Sequence, residues 1–185
     1  DLTHKNGMKF GIWIEPEMVN VKSELYEKHP DWVLRHPDFE PSYGRGGGQM
    51  LLDLTNPKVQ DHVFSIVDNI LTENPDVYYI KWDNNMEMFN ASSQYLPKAL
   101  QSNLQVEFTL ALEKILKRIR AKYPQVVIQL CASGGTRLNY GFMPYFQEMW
   151  TSDQTDAYHR IHIQWGSLNF YPSNMLAAHV GSSYS

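Results

Sequence analysis

A single cysteine, Cys131, stands among the 185 residues. That excludes an internal disulfide and any thiolate-rich metal site. Positive charge is not in excess either: 16 Lys+Arg face 20 Asp+Glu, a formal net charge of −4 at pH 7. A nucleic-acid binder normally carries a basic patch on a basic domain, so that class of partner is set aside. No run approaches ~18 consecutive apolar residues, the length of a membrane span. The opening Asp1-Leu2-Thr3-His4-Lys5-Asn6-Gly7 lacks the apolar stretch of a signal peptide. No fixed-period repeat or low-complexity tract stands out. No Gly-rich dinucleotide turn follows an apolar run, which disfavours a Rossmann-type fold. Gly44-Arg45-Gly46-Gly47-Gly48-Gln49 precedes a strand-like run rather than a helix, so it does not read as a phosphate cradle.

What is present is apolar and aromatic. Hydrophobic residues make up 43% and aromatics 13%, enough for a substantial core and against intrinsic disorder. Five Trp and eleven Tyr among abundant carboxylates suit either a sugar-handling surface or a large aromatic core. Short apolar runs alternate with amphipathic stretches. Met8–Ile14 reads as a buried strand ending at Glu15-Pro16, and Met50–Leu54 as a second strand. Asn56 then serves as an N-cap with Pro57 at the first helical position, where its missing N–H costs nothing. Val59, Val63, Ile66, Val67, Ile70 and Leu71 follow at helical spacing until Asn74-Pro75. Val77–Asp83 is a third strand. A helix through Leu104, Phe108, Leu112, Ile115 and Ile119 follows and closes at Lys122-Tyr123-Pro124. Val126–Leu130 is a fourth strand, Glu148–Trp150 a fifth, and Leu168–Tyr171 a candidate sixth.

Continuous apolar strands separated by helices predict a parallel sheet in an α/β fold. Polar residues cluster at the C-terminal ends of successive strands: Glu15 and Glu17, Asp53, Asp83, Cys131 and Asp153. In a (β/α)8 TIM barrel those ends converge on one mouth, which favours the barrel over a doubly wound sheet. A closed barrel normally takes about 250 residues. The expectation is therefore an incomplete barrel, a piece of a larger protein.

Tyr79-Ile80-Lys81-Trp82-Asp83 has the parts of an activated nucleophile. A Lys ammonium near a carboxylate keeps it ionised, and Trp82 supplies a wall for a sugar ring. The same residues also fit a Lys–Asp surface pair at a strand end. In Trp150-Thr151-Ser152-Asp153-Gln154-Thr155-Asp156, a carboxyl beside Trp150 suits a general acid. Helix capping is the ordinary use of such a cluster, above all for Asp156. Two carboxyls of this kind suit glycoside cleavage. His159 and His162 could share a metal, though solvated or core histidines fit better without an HExxH or Cys partner. Cys131, beside Ser133-Gly134-Gly135, reads as a packed or ligand-contacting thiol. Glu15 and Glu17 could meet substrate or solvate a loop.

At this point the chain resembles glycoside hydrolase family 36, the bacterial-type α-galactosidases. The resemblance begins at Gly11-Ile12-Trp13-Ile14-Glu15-Pro16-Glu17-Met18-Val19-Asn20 and His29-Pro30-Asp31-Trp32-Val33-Leu34. It continues through Leu52–Pro57, Tyr79–Asp83, Cys131–Gly135 and Trp150–Asp156, in order and over nearly the whole chain. It implies a retaining enzyme on a (β/α)8 barrel, with no metal or organic cofactor, acting on terminal α-linked galactose of melibiose- or raffinose-type sugars. The K-W-D aspartate, the family's nucleophile, falls on Asp83. The S-D-x-T-D acid/base falls on Asp153 rather than Asp156. Substrate-binding positions fall on Trp13, Arg45, Lys81, Trp82, Asn85, Cys131, Gly134 and Trp150. The implied partner is a small-molecule α-galactoside, with neither nucleic acid nor membrane, and a homo-oligomer is open for the full-length protein.

Two departures from the family pattern are local: Thr136 replaces a small residue in the C-S-G-G-G-G-R segment, and Gly46-Gly47-Gly48 reads as an insertion after Arg45. By the resemblance, residues 1–185 match roughly strands two to seven. The family's N-terminal β-sandwich, its first barrel strand with an aspartate pair gripping galactose, and its C-terminal β domain have no counterpart among them. These residues alone are therefore expected to hold half the galactose grip. Related readings are α-N-acetylgalactosaminidase or galactosyl-transfer chemistry, a non-catalytic galactose-binding fragment, and a metal-dependent barrel hydrolase.

Overall fold

The computed structural model describes residues 2–181, without the side chain of Arg45. In chain order the elements are α1 (Leu2–Lys5), β1 (Phe10–Ile14), β2 (Met18–Asn20), α2 (Glu24–Lys28), β3 (Gln49–Leu51), α3 (Pro57–Glu73), β4 (Val77–Trp82), α4 (Leu104–Lys122), β5 (Val127–Leu130), β6 (Glu148–Trp150), α5 (Ala157–Leu168) and β7 (Leu176–Ala177). Two compact units divide them. The first comprises the residues up to Ile14, Asp76–Asp83 and the chain from Gln125 onward; the second comprises Glu15–Pro75 and Asn84–Pro124.

The first unit is a five-stranded sheet in the order β1-β4-β5-β6-β7, and every neighbouring pair is parallel. Register makes its two faces chemically different. Trp13 pairs with Lys81, Lys81 with Gln129, and Gln129 with Glu148, so one row across four strands is polar or aromatic. The neighbouring rows hold Ile80 against Ile128 and Trp82 against Leu130 against Met149, all fully buried. A strand alternates its side chains between faces, so one residue of offset separates these two environments. The sixth strand is not at Leu168–Tyr171: α5 runs to Leu168, turn hydrogen bonds bring Phe170 and Tyr171 back onto Ser167, and the parallel strand is Leu176–Ala177.

The second unit contains α3 and α4 packed together, with Val59, Val63, Val67 and Leu71 of α3 buried, as are Phe108, Leu112, Ile115 and Ile119 of α4. Arg118 with Asp61 at 2.7 Å and Lys122 with Asp68 at 2.5 Å add exposed ion pairs along the two helices. The Asn56 side chain accepts from Lys58 N at 3.0 Å, the expected N-cap. The expected second barrel strand is different in kind. β3 ends at Leu51 and pairs antiparallel with β2 in a two-stranded ribbon, while Leu52 bridges Val33. An apolar run buried on both sides reads the same whether its partner runs parallel or antiparallel, which is why the pattern misplaced it.

Candidate active site

The nucleophile candidate sits where β4 hands over to a loop. The Asp83 N–H donates to the Ile14 carbonyl at 2.9 Å, which extends the β1–β4 ladder one residue past the strand. Its carboxylate is buried, and Oδ2 accepts from the Trp13 indole N–H at 2.9 Å. The Cys131 thiol, at the end of β5, also hydrogen-bonds this carboxylate. Burial, and then that bond to Asp83, push the thiol up to about 12. A neutral S–H therefore donates to Asp83 throughout the physiological range, and Cys131 is a donor rather than a nucleophile.

The loop after β5 carries the contact onward. Gly134 has φ +83, and a Cβ there would lie 3.2 Å from the Asp153 backbone nitrogen; one on Gly135 would lie 2.4 Å from the Thr151 carbonyl oxygen. Only glycine lets this loop lie so close to the segment following β6. Thr136 fits without disruption, since its hydroxyl donates back to the Ala132 carbonyl.

Asp153 is exposed, and its Oδ1 accepts from the Trp150 indole N–H at 2.7 Å. The Lys81 Nζ lies 4.0 Å from the Trp150 ring centroid, a cation–π contact. A continuous set of contacts thus runs Trp13, Asp83, Cys131, Gly134, Asp153, Trp150 and Lys81. Asp156 stands apart from it as the N-cap of α5, accepting from the His159 N–H at 3.1 Å and from the His159 ring nitrogen at 2.7 Å.

An open cleft of about 800 Å³ lies over the polar face of the sheet, lined by Tyr79, Lys81, Gln129, Glu148, Trp150 and His179 among others. Sequence reasoning did not single out Gln129, Glu148 or His179. Glu148 accepts from the Tyr79 hydroxyl and from Gln129 Nε2, the latter at 2.7 Å. Burial and the Glu148 carboxylate raise the proton affinity of Tyr79, which stays a neutral donor. The His179 ring lies 5.5 Å from that of Trp150. Gln129 carried a signal, as a polar residue inside an apolar run. His179 had the strand-end signal used for the other candidates, but the last strand had been placed too early.

Other candidates are placed differently. Trp82 is fully buried on the face opposite Lys81, so its ring offers no surface to a sugar; partly exposed Trp13 and Trp150 are the aromatic walls available. In the second unit, the Asn85 amide donates to Glu15, which also accepts from Gln49 Nε2 at 3.1 Å. Glu17 is buried and accepts from Asn84 Nδ2 at 3.2 Å, so it neither solvates a loop nor stands free for a ligand. Asp53 is likewise consumed internally, by Thr55 Oγ1 at 2.5 Å and Ser93 Oγ at 2.6 Å. Arg45 opens a short 3-10 turn, and its side chain lies outside the described set. A second cavity of about 510 Å³, lined by Arg35, His36, Phe39 and Ser92 among others, contains none of the sequence-predicted groups. Among the described residues no three His, Cys, Asp or Glu side chains gather as a metal site. No helix among the described residues is long and apolar enough to cross a membrane.

Comparison with known proteins gives the family. The α-galactosidase AgaA of Geobacillus stearothermophilus is 38% identical over 95% of the chain, and α-galactosidase 2 of Pediococcus pentosaceus is 37% identical over 97%. The chain spans about a quarter of the length of these relatives (24% and 25%). The crystal structure of a Lactobacillus brevis α-galactosidase superposes with TM-score 0.89 at 41% identity, covering 95% of this chain and 23% of that one. AgaA itself, solved as a GH36 enzyme, superposes with TM-score 0.88 over 95% of this chain and 24% of its own. AgaA variants were crystallised with raffinose and with stachyose, each carrying a substitution of a different aspartate, and those two aspartates lie seventy positions apart. The five-stranded parallel sheet is accordingly part of an incomplete (β/α)8 barrel. With the family model described as melibiase matching residues 1–185, the chain belongs to the melibiase family, the GH36 glycoside hydrolases.

Proposed function

We propose that this chain carries the two catalytic carboxyls of a retaining α-galactosidase acting on raffinose-type oligosaccharides. The observation that supports it is the unbroken set of contacts from Asp83 through Cys131 and Gly134 to Asp153 and Trp150. It draws two carboxyls from distant sequence to the strand ends on either side of β5, where barrel enzymes do their chemistry. Asp83 and Asp153 are also seventy positions apart, the separation of the two aspartates substituted in the sugar-bound AgaA structures.

The roles follow from the environments. Asp83 is buried and accepts from the Trp13 N–H and the neutral Cys131 thiol, which orient it for attack on the anomeric carbon. Asp153 is open to solvent and held by one donor, which suits a group that must give a proton to the leaving oxygen and take one from water. In the first step the Asp83 oxygen forms a bond to C1 as the C1–O bond to the aglycone breaks and Asp153 protonates the departing oxygen. In the second, water deprotonated by Asp153 attacks C1 and releases galactose with its configuration retained. Lys81 and Trp150 line the open cleft, as a donor to sugar hydroxyls and an apolar wall.

The test is mass spectrometry of the protein after incubation with a 2-fluoro-galactosyl reagent, with raffinose hydrolysis assayed in parallel. A galactosyl adduct on the peptide containing Asp83 is expected, absent in Asp83→Asn. Labelling at another carboxylate would overturn the assignment.

A further inference from the structure

Helix α5 buries one residue, and it is an arginine. Around it the helix exposes Tyr158, Ile161, Trp165 and Leu168, while Arg160 is 2% exposed. Burying a guanidinium is costly unless its donors and its charge are both met. Among the described residues Arg160 has no carboxylate within ion-pair distance, and its Nη2 has no hydrogen-bond partner. The remaining donors reach two strand ends: Nε donates to the His179 carbonyl beyond β7 at 2.8 Å, and Nη1 to Thr151 Oγ1 beyond β6 at 2.6 Å. The guanidinium carbon lies 5.2 Å from the Trp150 ring centroid.

We infer that Arg160 is a positioning residue for Asp153, holding the Trp150–Thr151 strand end in place. This rests on the α-galactosidase reading of the site. The link runs through Thr151 and the Trp150 ring, whose N–H holds Asp153 Oδ1 at 2.7 Å. A group serving only as filler would pack as well without a charge, since well-packed apolar residues often replace buried ions at no loss.

Arg160→Met keeps most of the stem and loses both hydrogen bonds; Arg160→Lys keeps a charged donor and loses the fork. The experiment compares the ¹⁵N-indole resonance of Trp150 in the full chain, beside kcat/KM for an aryl and a methyl α-galactoside.

In Arg160→Met the Trp150 indole resonance should shift and broaden, because the strand end that holds its ring has lost both hydrogen bonds. Turnover of the methyl glycoside, whose leaving group needs the acid, should fall about 10–100-fold, as for other residues that orient a reacting group from behind. The aryl glycoside should suffer less. Arg160→Lys should lose less on the methyl glycoside than Arg160→Met.

An unchanged Trp150 indole resonance in Arg160→Met, or equal losses on both glycosides, overturns the inference. If the wild-type chain hydrolyses neither glycoside and takes no label on Asp83, the α-galactosidase reading fails instead. The indole resonance then still decides whether Arg160 positions the Trp150 ring.

Discussion

The indole N–H of Trp150 donates to Asp153 at 2.7 Å while the Lys81 ammonium stands 4.0 Å over the same ring. One side chain thus fixes a candidate acid/base and anchors the lysine of the candidate nucleophile's strand. Trp150→Phe keeps an aromatic face for Lys81 and deletes the donor. A hydrogen bond to a charged group contributes about 1.5–3 kcal/mol, so kcat/KM should drop about 10- to 150-fold. The loss should be larger on an alkyl than on an aryl α-galactoside, because only the former depends on protonation of its leaving group. Equal losses on both would show that the indole N–H has no part in acid catalysis.

Which parts of this arrangement could be read from sequence depends on what a local pattern encodes. β1, β4, β5 and β6 are short apolar runs, and each lies where its run predicts. The pairing partner is not local information, so Met50–Leu54 was taken for a barrel strand although β3 pairs with β2. β7 is two residues long, too short to outweigh the aromatic Leu168–Tyr171 run beside it. In the site, Lys81 and Asp83 share a strand face while Trp82 between them points the other way. The alternation of a strand states this, yet a motif match passes over it. Arg160 was invisible for a different reason: an arginine in an amphipathic helix looks like a surface residue until neighbouring elements close over it.

Cys131 provides a chemical test of the environment around Asp83. It is 1% exposed, and burial with the Asp83 hydrogen bond pushes its thiol up to about 12. Since the thiolate is the reacting form, the folded protein should resist iodoacetamide at about pH 8 and be alkylated fully in urea. Peptide mass spectrometry under both conditions reads the outcome. Rapid alkylation of the native protein would contradict a thiol that is buried and donating to a carboxylate.

Acid stability should depend on His62. Its ring is half-buried against Trp32, at 5.6 Å between centroids, and Trp32 in turn stacks on His29 at 4.0 Å. Burial first, then the charge of His29, lower its proton affinity below the ordinary 6.5. The unfolded chain therefore binds a proton that the folded chain resists. Stability from this group is complete above pH 6.5 and is lost as pH falls through the lower folded value. Urea midpoints at about pH 8 and about pH 5 should differ less in His62→Leu than in the wild type. An unaltered difference would assign the acid sensitivity elsewhere.

Gly134 joins the two halves of the candidate chemistry, and its requirement for glycine has two separable sources. At φ +83 any side chain pays the left-handed backbone cost of about 1–2 kcal/mol. A Cβ there also meets backbone, at 3.2 Å from Asp153 N and 3.3 Å from Ser152 Cα, so the acid/base segment itself has to shift. Gly7 has a similar φ of +68 with open space around it, and Gly7→Ala isolates the backbone cost alone. Gly134→Ala should lose more stability than Gly7→Ala in urea titrations. It should also cut kcat/KM about 100-fold, since a displacement of about 1 Å in a reacting group is costly on that scale. Gly7→Ala should lose only stability. If Gly134→Ala matched it in both measurements, the loop after β5 would not set the position of Asp153, and the connection between the two carboxyls would have to run another way.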